Sequence, residues 1–399
     1  MQEVFVVSGK RTPIGSFMGG LKDVGNVELG VIAAKAAMEQ INLDPAKVGH
    51  VACGCVLQEA SKPNVGRQVQ LGAGIPVEAG AMTVNQLCSS SMRAAEIAAD
   101  MIRVGREEVV LVVGTESMTN APYMVLKGRQ GYRMGPGKLE DALLYDALTD
   151  AFNNYHMGVT AENVATKFNI SREEQDALAV LSHNRAAAAW EKGIFAEEIV
   201  PVPVKSKKGV VMFEKDEFYR PDATMELLGK LKPAFKPEGG TVTAGNASGV
   251  NDGAVGSVFM SGAAVKATGV KPLAKILSSA TAGVDPAIMG VGPAYAIPKA
   301  LKLAGLKFED IGYWEVNEAF AAQWLGVGRL LKSEFGMILS TDIANANGSG
   351  IALGHPIGMT GLRLIVSGIY EAKRQGVKYL GTGLCVGGGP ALATIVEIL

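Results

Sequence analysis

The sequence predicts an α/β protein built from two similar halves, and three observations lead there. Short apolar runs alternate with longer amphipathic segments, as strands alternate with covering helices. The alternation returns once at an offset of roughly 265 to 270 residues, and a segment of different character separates the two copies. A chain of 399 residues that is 48% hydrophobic and carries 50 glycines can bury a large core in two or three lobes.

The first copy reads strand, helix, strand in order. "EVFVVSG" is a strand, "NVELGVIAAKAAMEQINL" a helix, "HVACGCVL" and "AMTVNQL" strands, residues 91–104 a helix, and "EVVLVVGTES" a strand. "AAKAAMEQINLDPAKVGHV" is echoed by "IPKALKLAGLKFEDIGYWEV", and the segment starting "CSSSMRAAEIAAD" by the one starting "GMTGLRLIVSG". Only two copies at so long an offset exclude a solenoid and predict two halves packed around a pseudo-twofold axis. The expected division is 1–118 with 251–270 for the first half, 119–250 for an inserted loop domain, and 271–399 for the second half. Within the insertion, Ser171 followed by Glu174 fits a capping box and fixes a helix start.

Against 38 basic side chains stand 39 acidic ones, so there is no general field for nucleic acid or an anionic membrane. The N-terminal apolar run is too short for a signal segment, and no window approaches the ~20 apolar residues of a membrane span. A cytoplasmic location is therefore expected. The four cysteines, Cys53, Cys55, Cys88 and Cys385, are too sparse for a disulfide scaffold and are read as reduced thiols. Cys53 and Cys55, in C-G-C, lack two further nearby ligands, so no metal is expected.

Three glycine-flanked segments set a reactive side chain in a turn: Cys88 in "NQLCSSSM", His355 in "ALGHPIGMTG" and Cys385 in "TGLCVGGGP". The repeat places the Cys88 and His355 loops at equivalent positions before corresponding helices. A thiol at a helix N-terminus has its thiolate favoured by the macrodipole, and a neighbouring histidine can take its proton. Taken singly, each residue also has a structural reading, Cys88 as a small buried hydrophobe and His355 as a core histidine. The three glycines after Cys385 can turn their N–H groups on an anion. Asn317, where "YWEV" gives way to a helix, is read equally as an N-cap or a functional amide.

The whole chain resembles the thiolase family, and most closely its short-chain acetyl-CoA acetyltransferases. The motifs "GKRTPIGSFMGGL", "NQLCSSSM", "YHMGVTAENVA", "GTVTAGNASGVNDGA", "NEAFAAQ", "GHPIGMTG" and "CVGGG" occur in family order. The resemblance implies a five-layer α-β-α-β-α arrangement with the inserted loop domain, and a ping-pong acyl transfer with no cofactor beyond the CoA thioester substrates. Cys88 is then the nucleophile, His355 its base and Cys385 the second acid/base. One oxyanion hole comes from His355 with a water held by Asn317, the other from the N–H groups of Cys88 and Gly387. His156 and Met157 mark the short-chain enzymes, and Leu148, Arg220, Ala244, Ser248, Met289, Ala319 and Phe320 are implied CoA contacts. A homotetramer built as a dimer of dimers and a place in fatty acid metabolism are also implied.

Departures from the family pattern fall at Ser91 and Ala391, where glycine is usual, at "NGSGIALGHP" in place of "NGGAIALGHP", and at Leu227, where serine is frequent. Ser91 and Ala391 are expected to add side chains near the reacting groups and so to bear on acyl preference. The nearest rival is a degradative 3-ketoacyl-CoA thiolase of broader acyl range, and a more remote one is a non-catalytic acyl-CoA or lipid-binding protein. Retention of Cys88, His355 and Cys385 together speaks against the latter.

Overall fold

The computed structural model describes residues 1–207 and 209–399. Nine strands form the main path: β1 (Val4–Val6), β2 (His50–Gly54), β3 (Gly80–Val84), β4 (Val109–Ser117), β5 (Asn251–Ser261), β6 (Ala274–Gly283), β7 (Tyr313–Val316), β8 (Tyr379–Cys385) and β9 (Pro390–Ile398). Their spatial order is β7-β8-β9-β6-β1-β5-β4-β2-β3. Read outward from the antiparallel β1–β6 junction, the two sides match. The first runs β1, β5, β4, β2, β3, and the second runs β6, β9, β8, β7 and then a parallel bridge from Trp314 to Ala344. The duplication expected from the sequence is thus present strand by strand.

The helices follow the same rule. α1 (Asn26–Glu39) and α6 (Pro293–Ala304) cover the outer faces, on β5 and β4 in one half and on β6 and β9 in the other. α3 (Ser90–Arg103) and α8 (Ile357–Gln375) pack on each other between the sheets. The five layers are therefore helix, sheet, paired helices, sheet, helix. α8 sits in the middle of this stack, and all its residues from Ile357 to Ala372 are buried. Leu362, Leu364, Ile365, Val366 and Ile369 of this helix belong to the core packed between the two halves.

Between β4 and β5 the chain adds no strand to the main sheet among the described residues. It contributes α4 (Met157–Lys167), α5 (Arg172–Glu191) and a two-stranded hairpin, Val202–Ser206 with Gly209–Phe213. The predicted capping box at α5 is formed. Ser171 Oγ accepts from the Glu174 N–H at 3.2 Å, and Glu174 Oε2 accepts from the Ser171 N–H at 2.8 Å. Buried ion pairs tie the insertion to the first half: Arg11 lies between Glu198 at 2.5 Å and Asp216 at 2.8 Å. No helix among the described residues is long and apolar enough to cross a membrane.

Candidate active site

The two loops predicted to meet do meet. Cys88 and His355 line one cavity of about 350 Å³, together with Gly387. Its walls include every residue expected to contact CoA: Leu148, His156, Met157, Arg220, Ala244, Ser248, Met289, Ala319 and Phe320. Leu87, Met118, Phe218, Phe235 and Ile357 join them without having been singled out in the sequence. The lining is apolar apart from a few placed polar groups, the usual make-up of a small-molecule site.

Cys88 stands in a tight turn leading into α3. Leu87 adopts a left-handed backbone with φ of 46°, at a cost of about 1–2 kcal/mol for a residue with a side chain. The turn is closed by Ser90, whose Oγ accepts from the Gln86 N–H at 2.9 Å and donates to the Leu87 carbonyl at 2.7 Å. Cys88 is half-buried and opens on the cavity. Burial pushes its thiol up to about 11, while the N–H groups of Gly387 and of Cys88 itself pull the other way. The expectation that the helix mouth favours a resting thiolate is corrected here. Burial is the largest cause of the shift, and α3 begins at Ser90, two residues beyond the sulfur.

His355 is buried in the corresponding loop before α8. Its N–H donates to Asn251 Oδ1 at 3.0 Å, and its Nδ1 lies 2.6 Å from Thr360 Oγ1. That hydroxyl has one proton and gives it to the Pro356 carbonyl at 2.9 Å. It therefore accepts from Nδ1–H, which leaves Nε2 as the basic nitrogen, and Nε2 has no protein partner. Burial, with the nearby Arg363 guanidinium, lowers the imidazole to about 3, so the ring is neutral across the physiological range. Thr360 lies within "GHPIGMTG", where a hydroxyl in the first turn after a histidine is the signal that marks it.

Cys385 ends β8 and is fully buried behind the cavity wall, close enough to Cys88 for the Cys88 sulfur to raise it further. Burial is the larger cause of its raised value. After it the chain turns sharply through Gly388 and Gly389, both left-handed at φ 82° and 104°. That turn brings the Gly387 N–H to the Cys88 sulfur. A Cβ on Gly387 would lie 2.9 Å from Leu87 Cδ1 and 3.0 Å from Met157 Cε. The space beside the nucleophile is thus bounded by Leu87 and Met157.

Asn317 is not a helix cap, since α7 (Ala321–Phe335) starts after Phe320. Its N–H donates to the Gly383 carbonyl at 2.9 Å. Both polar atoms of its side chain are buried without a protein partner, which an amide tolerates only when something else bonds to it. His156 caps α4, its Nδ1 accepting from the Gly158 N–H at 3.0 Å, and its ring stacks on Phe235 at 4.7 Å. Phe235 in turn meets Phe320 edge-on at 6.3 Å, giving the cavity an aromatic wall.

The departures noted in the sequence lie elsewhere. Ser91 is buried and bonded to α8, away from the cavity lining, and Leu227 is exposed on a surface helix. Ala391 is the cross-strand neighbour of Cys385 and packs against Gly292. None of the three lines the cavity, so the expected influence of Ser91 on acyl size is not supported by its position.

The family model "Thiolase, N-terminal domain" matches residues 4–263, and "Thiolase, C-terminal domain" matches residues 270–398. The chain belongs to the thiolase family. It is 46% identical to the acetyl-CoA acetyltransferase of Syntrophomonas wolfei over 400 residues, covering 100% of both chains. A solved structure of acetyl-CoA acetyltransferase from Syntrophomonas wolfei superposes with a TM-score of 0.98 at 49% identity, covering 100% of both chains. Human mitochondrial 3-ketoacyl-CoA thiolase superposes with a TM-score of 0.96 at 45% identity, over 100% of this chain and 99% of that one. Thiolase membership accounts for the doubled sheet, the paired central helices and the cavity at their mouths.

Proposed function

We propose that this thiolase is an acetyl-CoA C-acetyltransferase, catalysing the reversible condensation of two acetyl-CoA to acetoacetyl-CoA and CoA. The observation that carries the reading is the meeting, in one apolar cavity, of the Cys88 thiol, a neutral His355 with its Nε2 unpartnered, and the Gly387 N–H. Full-length similarity to proteins named acetyl-CoA acetyltransferase supports it.

In the first half-reaction the Cys88 sulfur attacks the thioester carbonyl and its proton passes to His355 Nε2. The tetrahedral oxyanion is received by the N–H groups of Cys88 and Gly387, and a donor of this kind supplies about 3–4 kcal/mol. Collapse expels CoA as a thiolate that takes the proton from His355. In the second half-reaction Cys385 gives its thiol proton to His355 Nε2 and, as the thiolate, removes an α-proton from another acetyl-CoA. Its enolate oxygen is received by His355 Nε2–H and a water held by Asn317, and the carbanion attacks the acetyl thioester, expelling the Cys88 thiolate, which takes the proton back from His355. His355 acts as base in one step and donor in the other. The Thr360 hydroxyl serves both, since it accepts from Nδ1–H while Nε2 takes up and gives back a proton.

Leu87 and Met157 beside Gly387 favour a two-carbon acyl group over a longer one. Similarity to human mitochondrial 3-ketoacyl-CoA thiolase keeps a second reading, a degradative enzyme of wider acyl range. Arg220 in the cavity lining provides a cation for the CoA moiety, with a planar guanidinium able to stack on adenine. A cytoplasmic homotetramer and a role in fatty acid metabolism fit this reading. The test is CoA-dependent cleavage of acetoacetyl-CoA against six-carbon and longer 3-ketoacyl-CoA. Fastest cleavage of acetoacetyl-CoA is expected; faster cleavage of the longer chains overturns the short-chain assignment, and no cleavage of any overturns the reaction.

A further inference from the structure

Ser91 and its surroundings are unusual for a position three residues past the nucleophile. The residue is fully buried in the first turn of α3, and its hydroxyl uses both of its bonding capacities on the other half of the molecule. Oγ donates to the Met359 carbonyl at 2.9 Å and accepts from the Leu362 N–H at 2.9 Å. Met359 and Leu362 belong to the first turns of α8 and bracket Thr360, the residue that holds His355 Nδ1. One hydroxyl therefore joins the helix that starts two residues after Cys88 to the turn that orients His355.

The neighbourhood allows little play in that bridge. A Cβ on Gly54 would lie 2.3 Å from the Ser91 nitrogen, one on Gly114 2.6 Å from the Ser91 Cβ, and one on Gly361 2.7 Å from the Met92 nitrogen. Bare backbone on β2, β4 and α8 thus lets the first turn of α3 press against all three elements. A second tie runs beside it, from Glu116 Oε2, which accepts from the Gly358 N–H at 2.8 Å. Of the two, Ser91 is attached to the nucleophile's own helix.

We infer that Ser91 is a positioning residue for the reaction, holding the first turn of α8, and through Thr360 the His355 imidazole, in register with Cys88. It rests on the assignment of Cys88 and His355 as nucleophile and base. Ser91 touches neither the cavity nor the substrate, so its effect should fall on proton transfer and leave binding alone. An ångström of misalignment in such a pair can cost on the order of a hundred-fold in rate, and a partial loss proportionately less.

The test compares Ser91→Ala and Ser91→Gly with Ser257→Ala. Ser257 is an equally buried serine whose Oγ donates to the Ser8 carbonyl at 2.6 Å within the first half and not to α8. The measurements are kcat and KM for acetoacetyl-CoA thiolysis, and the rate of Cys88 alkylation by iodoacetamide across pH. Both Ser91 variants are expected to lose about ten-fold in kcat with KM within about two-fold, and to alkylate more slowly at neutral pH with the profile displaced to higher pH. Ser257→Ala is expected to change neither. Ser91 variants that lose only thermal stability, with kcat and alkylation profile as in the unaltered chain, overturn the inference. If Ser91→Ala does not fold, Ser91→Gly decides, since a bare backbone needs no room there. Should the unaltered chain cleave no 3-ketoacyl-CoA, the reading of function fails, and the alkylation comparison still decides the role of Ser91.

Discussion

The Cys88 loop and the His355 loop occupy equivalent places in the two halves, each just ahead of a central helix, yet they are built in opposite ways. The Cys88 loop is strained at Leu87 and half-open to the cavity, and its sulfur is faced by the N–H groups of Gly387 and of Cys88 itself. The His355 loop is buried and tied at two points, its backbone on Asn251 and its ring Nδ1 on Thr360, leaving Nε2 toward the cavity. Each is also held from across the pseudo-twofold. Gly387, from the second half, serves Cys88, while Asn251, at the start of β5 in the first half, serves His355. A duplicated fold has thus specialised one mouth for access by substrate and the other for orientation of the base.

Breaking the orientation side is expected to have the largest effect. Thr360→Val keeps the volume and removes the acceptor from Nδ1–H. The orphaned donor costs about 1–3 kcal/mol of stability. The ring is also free to move its proton to Nε2, where it cannot act as base. We expect kcat to fall by roughly ten- to a hundred-fold, short of the ~10⁴ lost when a catalytic histidine is forced into the wrong tautomer. Thr360→Ser should restore most of it. Steady-state thiolysis checks this, and wild-type kcat in Thr360→Val would show that the loop needs no such tie.

A smaller and purely titrational effect sharpens the same contrast. His355 is lowered to about 3, so it stays neutral as pH falls from 8 to 5 and contributes no acid limb near 6.5. The Cys88 thiol is raised to about 11, so its charged form grows only as pH rises toward that value. Alkylation of the substrate-free enzyme is therefore expected to climb steadily through pH 9 without a plateau. A plateau near neutrality would instead mean a resting thiolate–imidazolium pair.

Much of this was legible in the sequence. Strand and helix alternation gave the halves, and the long repeat gave their symmetry, because both record which faces are buried. The cavity lining was legible because its residues sit in separated motifs that could be matched one by one. What escaped depended on direction. Ser91 was expected to point at the reacting groups because it is near Cys88 in sequence, whereas the first turn of α3 aims it at α8. The charge state of Cys88 was expected from the helix mouth, and desolvation reversed it. Phe235 and Phe218 reach the wall from the insertion, where no periodicity announces a contact.

The most direct measurement of the central claim is to mix the protein with acetyl-CoA, quench in acid, digest with protease and locate the added mass by peptide mass spectrometry. One acetyl group on the peptide containing Cys88, none on the peptide containing Cys385, and release of the label by added CoA are the predicted result. Acetylation of Cys385 in place of Cys88, or of neither thiol, would contradict it.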